Sequence, residues 1–465
     1  MPPTTPLFDP ELLRRYDLPG PRYTSYPTAP QFSSSFREAD LREIASITNG
    51  DPIPRPMSIY VHVPFCTSPC FYCGCNRIIT RDNARGDAYL TRLYREIGMM
   101  APLFDRDREV VQLHFGGGTP NFLSPEQLAE TVDVIARHFQ LARGQQLDCS
   151  IELDPRFVSP EDIAVLAKAG FNRASLGVQD FDPAVQQAVN RIQSVEQTLA
   201  VIEACRANGM RSVNVDLIYG LPRQSLEGFE RTLDIALEAR PDRFAIYSYA
   251  HLPSLFRPQR QIREEELPTP EVKLALLQRA IERLGEAGYV YIGMDHFALP
   301  TDELAIAQAK GGLHRNFMGY TTCADSDLIG LGVSAISHIG ASFSQNPRDL
   351  QSWEQAIDEG RLPVWRGMRM NEDDVLRADV IQQLMCHGEL DFDRVGERHV
   401  IDFRSYFAEA VQRLGALADD GLVEVSAAGM RATSRGKLLL RIIAMCFDRY
   451  LPAPGTATTQ FSRTV

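Results

Sequence analysis

The sequence predicts an α/β protein. Its centre is a partial, TIM-like parallel (β/α)6 barrel, with an irregular amino-terminal segment before it and a small, mostly helical, winged-helix-like carboxy-terminal domain after it. Three observations predict this. Strand and helix signals alternate six times between about residues 57 and 250. The first 50 residues are polar and rich in proline. After about residue 360, helical segments surround one short hairpin signal.

The strand candidates are MSIYVHV (57–63), VVQLHF (110–115), CSIEL (149–153), RASLGV (173–178), SVNVDLIY (212–219) and RFAIYSY (243–249). Helical stretches lie between them at 84–100, 125–139, 160–169, 194–208 and 226–239. Ser124-Pro125-Glu126 and Ser159-Pro160-Glu161 each read as a serine cap, a proline in the first turn and an acid near the positive helix end. Gly170 and Gly209 stop helices at their C-termini. In a parallel barrel, chemistry gathers at the C-terminal ends of strands. That rim here receives Cys66, Gly116-Gly117-Gly118-Thr119-Pro120, Glu152-Leu153-Asp154-Pro155, Gln179-Asp180, Asp216 and Ala250-His251.

The segment PRYTSYPTAP (21–30) excludes a helix interior. Near the other end, helices at 372–386 and 404–420 precede LVEV (422–425), a turn at Gly429 and a long apolar helix over 434–450. Helix, hairpin and helix together read as a winged helix, which can bind DNA or serve as a packing element or lid. Residues Arg435, Lys437 and Arg441 supply too little positive charge for nucleic acid against a chain net charge of −12. An acidic substrate would need a locally basic pocket for the same reason.

The 465 residues are 44% hydrophobic and 23% charged, the composition of a soluble globular protein. No run approaches the ~18 apolar residues of a membrane span. The start, MPPTTPLFDPELLRRYD, has no apolar core or cleavage site of a secretory signal. Four of the nine cysteines cluster at 66–75 and the rest are scattered, which fits a metal site in a reducing cytoplasm better than a disulfide framework.

That cluster, YVHVPFCTSPCFYCGCN, spaces Cys66, Cys70 and Cys73 as C-x3-C-x2-C. Three thiolates on one short loop can hold three irons of a [4Fe–4S] cluster and leave the fourth iron open to a small molecule. With Cys75, four thiolates can instead hold zinc, although zinc knuckles usually separate two C-x2-C pairs by a longer stretch. A redox C-x2-C leaves Cys66 unexplained. Gly116–Gly118 admit close approach of a ligand to the backbone, or simply make a tight turn. Glu152 can bind a cationic amine or a ribose from its strand end, or cap a helix. Arg191 has the fork that pairs carboxylates. Tyr72 can stack on an adenine or shield a cluster from water. His62 lies on the same strand face as Tyr60, either as a satisfied interior histidine or as a proton or hydrogen-bond donor.

Placed after an apolar strand, the cysteine loop resembles the radical S-adenosylmethionine (SAM) superfamily. The segments RRYDLPGPRYTSYPTAP (14–30), HFGGGTP (114–120), FNRASLGVQDFD (171–182), NVDLIYGLP (214–222), YSYAHLP (247–253), GMDHFALP (293–300), HRNFMGYTT (314–322) and MCFDRYL (445–451) narrow it. Together with the cysteine loop, they resemble the oxygen-independent coproporphyrinogen III oxidase family over essentially the whole chain.

The resemblance implies a radical SAM oxidoreductase of haem biosynthesis, loaded with a [4Fe–4S] cluster and one or two SAM molecules. A 5′-deoxyadenosyl radical removes hydrogen from the β-carbon of a propionate, and loss of CO₂ and an electron leaves a vinyl group. Two of four propionates react, turning coproporphyrinogen III into protoporphyrinogen IX. Partners are then the substrate, an electron donor and an electron acceptor, with no nucleic acid or membrane, for a monomer. By motif, Cys66, Cys70 and Cys73 bind the cluster; Cys75 lies beside it unliganded. Tyr60, Gly117, Glu152 and Ile336 match positions around the first SAM. Tyr72, Gly118, Thr119, Gln179, Arg191, Asp216 and Ala250 match those around a second, Tyr72 standing where relatives often have phenylalanine. Tyr60, His62, Glu152 and Cys75 fall near the chemistry, and Arg22 is a candidate partner for substrate carboxylates. The implied organisation is a covering segment over 1–50, the barrel over 51–300, a stretch over 301–360 completing the SAM site, and the helical domain over 361–465. The alternative is a haem chaperone on the same barrel, but such relatives lack Cys75 and the PRYTSYP segment.

Overall fold

The computed structural model describes residues 6–451, 461, 463 and 464, so the outermost ends of the first and last expected parts lie outside the described residues. By its internal contacts the chain divides into two compact units. One comprises residues 32–272 and 325–369; the other comprises the residues up to 31, 273–324 and those from 370 onward.

The first unit carries the six expected strands: β1 (Met57–Val63), β2 (Glu109–Gly117), β3 (Asp148–Leu153), β4 (Arg173–Gln179), β5 (Ser212–Tyr219) and β6 (Arg243–Ser248). All pair in parallel, in the order β6-β5-β4-β3-β2-β1. The helices α1 (Ala84–Met100), α2 (Pro125–His138), α3 (Pro160–Lys168), α4 (Val195–Ala207) and α5 (Leu226–Glu238) fall between them. β1 is buried on both faces, which is why it reads as an unbroken apolar run rather than an alternating one. Ser124 and Ser159 cap α2 and α3 through the backbone N–H groups of Gln127 and Asp162, whose side chains bond back to the cap residues.

The barrel does not close β6 onto β1. Instead β1 pairs in parallel with β7 (Asp327–Leu331), and β8 (Ile336–Ile339), β9 (Ser342–Gln345) and β10 (Arg366–Arg369) extend the sheet antiparallel. Two polar ties fix this junction. Glu96 on α1, fully buried, accepts the Gly332 N–H at 2.8 Å, Asn346 Nδ2 at 2.7 Å and Trp353 Nε1 at 3.1 Å. Burial pushes its carboxyl up to about 7. Arg108 and Asp327 form a buried ion pair at 2.5 Å.

The amino-terminal stretch is less irregular than expected. Pro10–Arg15 and Glu38–Asn49 are α-helices, and the proline-rich stretch between them has no α-helix, only a 3₁₀ turn at Ala29–Gln31 at its end. Glu38–Asn49 turns Leu41, Ile44 and Ala45 into the interior, an apolar stripe that the polar composition of the first 50 residues hid.

In the second unit, helices Glu372–His387, Phe392–His399 and Ala408–Asp419 pack with a three-stranded sheet in the order Glu389–Asp391, Gly429–Ala432, Val423–Val425. Val380, Leu384, Phe403, Leu414, Ile443 and Phe447 contribute to its core. The expected helix over 434–450 is corrected: a 3₁₀ turn at Gly436–Leu439 leads into a short α-helix at Leu440–Met445. Gly436 packs so closely that a Cβ would lie 2.0 Å from the Leu422 carbonyl oxygen, and Leu439 leaves helical geometry at φ −115°, ψ 24°. Tertiary contact overrides the local propensity here.

Candidate active site

The cysteine loop leaves the end of β1 and is pinched at its neck. Phe65–Cys66 and Ile78–Ile79 pair in parallel, with the Ile78 N–H on the Pro64 carbonyl at 2.7 Å and the Thr80 N–H on the Cys66 carbonyl at 3.0 Å. The loop walls a cleft of about 210 Å³ at the C-terminal ends of the strands. Cys66, Cys70, Tyr72, Cys73, Cys75, Gly117, Gly118, Thr119, Glu152, Gln179, Arg191 and Asp216, twelve of the residues singled out above, all line it.

Each glycine at the C-terminal end of β2 has a steric reason. A Cβ at Gly116 would lie 2.9 Å from the Glu152 carboxyl, and one at Gly118 would lie 2.8 Å from the backbone of Pro64 and Phe65. Gly117 has φ +117°, and a Cβ there would come within 2.6 Å of the His62 ring. The turn thus brings backbone, acid and cysteine loop together. Glu152 accepts the Gly117 N–H at 3.2 Å and lies 3.3 Å from His114 Nε2. Burial raises its carboxyl, but the His114 ring and the Gly117 N–H outweigh that and hold it below its ordinary value. Asp216 goes the other way. Burial, then the charge of Glu152, pushes its carboxyl up to about 7, against hydrogen bonds from Asn214 Nδ2 at 2.7 Å and Ser175 Oγ at 3.1 Å.

The sulfurs face donors. Thr119 Oγ1 donates to Cys66 Sγ at 3.2 Å, and Arg191 Nη1 and Arg156 Nη2 approach Cys70 Sγ at 3.4 and 3.6 Å. The Cys75 N–H donates to Cys73 Sγ at 3.4 Å. Asp154 joins the two guanidinium groups, at 2.7 Å to Arg156 Nη2 and 3.0 Å to Arg191 Nη1. Among the described residues no three His, Cys, Asp or Glu side chains converge as a single metal ion requires. A cluster takes one thiolate per iron and needs no such convergence. The cleft also holds two buried polar atoms without a protein partner, Gln179 Oε1 and Arg191 Nε. Within the cleft they leave a donor and an acceptor open to a polar ligand. Three thiols with donors on their sulfurs, beside orphaned polar atoms, fit a cluster with a polar small molecule next to it.

Tyr60, His62, Ala250 and Ile336 do not line the cleft itself. Tyr60 stacks on His114 at 5.8 Å between ring centroids, one step from Glu152. His62 accepts from Tyr60 Oη at Nδ1 (3.1 Å) and donates from Nε2 to the Asn76 carbonyl (3.0 Å). Burial lowers its pKa, so it is a neutral, satisfied interior histidine. Ile336 lies against Gly330, whose missing side chain would meet the Ile336 backbone at 2.5 Å and which pairs opposite Tyr60 on β1. Ala250 and Tyr72 are linked by Gln259, whose Nε2 donates to both carbonyls at 3.2 and 2.9 Å. Arg22, in the other unit, is ion-paired with Asp295.

Sequence reasoning missed the site roles of His114, Arg156, Gln259 and Arg77, and placed Asp154 on the rim without giving it a role. His114 and Asp154 stood inside segments already singled out; Arg77 offered only its place beside the cysteines, and Gln259 offered no signal.

A parallel barrel with a three-cysteine loop over its C-terminal rim defines a radical SAM protein, and the family model for the Radical SAM superfamily matches residues 60–236. Relatives narrow this further. The oxygen-independent coproporphyrinogen III oxidase of Pseudomonas aeruginosa is 51% identical, covering 96% of each chain. That of Escherichia coli is 46% identical, covering 98% of each. The solved structure of coproporphyrinogen III oxidase (HemN) from Escherichia coli, described as a radical SAM enzyme, superposes with a TM-score of 0.91 at 45% identity, covering 96% of this chain and 100% of that one. The chain belongs to the oxygen-independent coproporphyrinogen III oxidase family.

Proposed function

We propose that this chain catalyses the anaerobic oxidative decarboxylation of two propionate side chains of coproporphyrinogen III to vinyl groups, giving protoporphyrinogen IX in haem biosynthesis. One observation carries the reading: a three-cysteine cleft on a chain nearly half identical, end to end, to oxidases of this name. When bound, the cluster and SAM supply a 5′-deoxyadenosyl radical that removes hydrogen from the propionate β-carbon.

The chain's own residues hold and orient these groups. Cys66, Cys70 and Cys73 would hold the three irons of the cluster, and Cys75, its N–H on Cys73, would stay unliganded. Glu152, kept ionised by its partners, takes the cationic amino group of the first SAM, with Gly117, Tyr60 and Ile336 shaping that side. Gln179, Arg191 and Asp216, with Gly118, Thr119, Tyr72 and Ala250, form a second SAM subsite; the orphaned Gln179 Oε1 and Arg191 Nε support it.

Arg22 meets substrate carboxylates. Arg315 Nη1 donates to its carbonyl at 2.7 Å, and Arg441 holds the preceding Pro21 carbonyl at 2.9 Å. Arg22, Arg315 and Arg441 thus bring three guanidinium groups together beside Asp295 on an otherwise acidic chain. Burial, then the charge of Arg22, lowers the pKa of Arg441 to about 10. The electron donor and acceptor are separate molecules, and the chain acts as a monomer in the cytoplasm. None of the nine cysteines pairs in a disulfide, which supports a reducing compartment, and among the described residues no helix is long and apolar enough to cross a membrane.

Anaerobic incubation of the reconstituted protein with SAM, a reductant and coproporphyrinogen III tests this. Chromatography should find 5′-deoxyadenosine and a doubly decarboxylated product. A loaded cluster with untouched substrate would overturn the reading. For Arg22, the Arg22→Ala variant should raise KM for substrate; an unchanged KM would remove that residue from the site.

A further inference from the structure

Arg77 stands just beyond the cysteine loop, on its return to the neck, and its side chain reaches back into the loop it closes. Nη2 donates to the Cys70 carbonyl at 3.1 Å, and Nη1 donates to the Cys73 carbonyl at 3.3 Å and the Cys75 carbonyl at 3.4 Å. One guanidinium therefore gathers the backbone of three of the four clustered cysteines. The neck ladder fixes the backbone of Cys66. Beyond the neck, the loop's own backbone bonds are few: the Cys73 N–H on the Cys70 carbonyl at 3.3 Å is one, and the Phe71 N–H goes out to the Val189 carbonyl at 3.0 Å. The loop contains Pro69 and Gly74, and apart from the short strand at its neck it has no regular secondary structure. Without Arg77, the carbonyls of Cys70, Cys73 and Cys75 would lose this shared donor.

Arg77 also lines the cleft. A guanidinium is always charged and has a planar fork of donors, a combination lysine lacks. Here both properties have a use. A cluster held by three thiolates carries net negative charge that grows by one on reduction, and nearby fixed charge is one of the levers on its potential.

We propose that Arg77 is a positioning residue for the iron–sulfur cluster: its fork sets the shape of the cysteine loop, and its fixed charge favours the reduced cluster. This rests on the cofactor assignment above and adds to it a residue whose two properties separate by substitution. Arg77→Lys keeps the charge and loses the fork; Arg77→Gln loses the charge and most of the fork.

The test uses the full chain, reconstituted anaerobically with iron and sulfide, without substrate. Cluster absorbance follows iron release to a chelator, and a dithionite titration followed by electron paramagnetic resonance gives the reduced fraction at a set potential. Both variants should release iron about tenfold faster than the parent, the usual scale for losing an outer-shell partner. At a fixed potential the reduced-to-oxidised ratio should fall about tenfold in Arg77→Gln, which is about 59 mV for a one-electron couple. In Arg77→Lys that ratio should stay at the parent value. If Arg77→Lys releases iron as slowly as the parent, the fork has no role. If Arg77→Gln keeps the parent ratio, the charge has none. Should Arg77→Gln fail to fold, Arg77→Lys still decides: slow release, or a shifted ratio, overturns the proposal. A parent protein that takes up no iron would instead overturn the cofactor assignment, a different and separately visible failure.

Discussion

Gly117 and Glu152 are joined by a hydrogen bond of 3.2 Å from the backbone N–H of one to the carboxylate of the other. The bond ties the last glycine of β2 to the acid near the end of β3, and His114 holds the second oxygen at 3.3 Å. The side chain of Glu152 is still 46% exposed, and the residue lines the cleft. It is thus an oriented, ionised carboxylate with lone pairs left for a cation.

Replacing Glu152 with alanine should therefore weaken SAM binding to the reconstituted protein at least tenfold, about 1.4 kcal/mol. Equilibrium dialysis with labelled SAM measures it, with cluster absorbance as the control for loading. Parent affinity in the variant would mean the carboxylate does not meet the cofactor.

Asp216 carries the pH dependence. Burial, then the charge of Glu152, pushes its carboxyl up to about 7. The neutral form is the one folding favours, so its contribution to stability is present at low pH and is lost as pH rises through about 7. Ligand binding has the opposite sign, because a cationic cofactor and ribose hydroxyls prefer the ionised acid. Occupancy of a second SAM should rise from one unit below to one unit above that value, and Asp216→Asn should flatten the profile. An equal slope in the variant would assign the titration to another group.

Cys70→Ser should lose cluster and activity together, since one of three thiolates is gone and the serine hydroxyl is a poor iron ligand at neutral pH. Iron analysis beside turnover tests it. Full activity with full iron content would contradict the ligand assignment.

The ion pair between Arg108 and Asp327 is 1% and 2% exposed, and Arg108 also donates to the Arg55 carbonyl and to Thr48 and Asn49. Asp327→Ala strands that guanidinium and should cost about 3–5 kcal/mol in denaturant unfolding. Replacing both partners with apolar residues should cost less. A larger loss in the double variant would show that the pair is worth more than its desolvation.

The barrel was legible because its signals are local. SVNVDLIY was read as a strand over 212–219 and is one, and α1 spans the 84–100 read for it. Strand-end polar residues such as Glu152 and Asp216 meet in one cleft because parallel βα topology leaves them nowhere else to go. What escaped is long-range. The pairing of Tyr60 with Gly330 joins residues 270 positions apart, and nothing near either residue announces it. The broken helix after Thr433 depends on Gly436 meeting the Leu422 carbonyl, a contact that exists only once the unit is packed. Arg77 and Gln259 hold backbone carbonyls, and a side chain that serves a backbone leaves no partner residue to find in the sequence.

The most direct test of the central claim follows one atom. Coproporphyrinogen III deuterated at the propionate β-carbons, turned over anaerobically with SAM and a reductant, should place deuterium in the 5′-deoxyadenosine released, alongside a divinyl product. Formation of 5′-deoxyadenosine free of deuterium, with the porphyrinogen unchanged, would contradict hydrogen abstraction from the substrate by this protein.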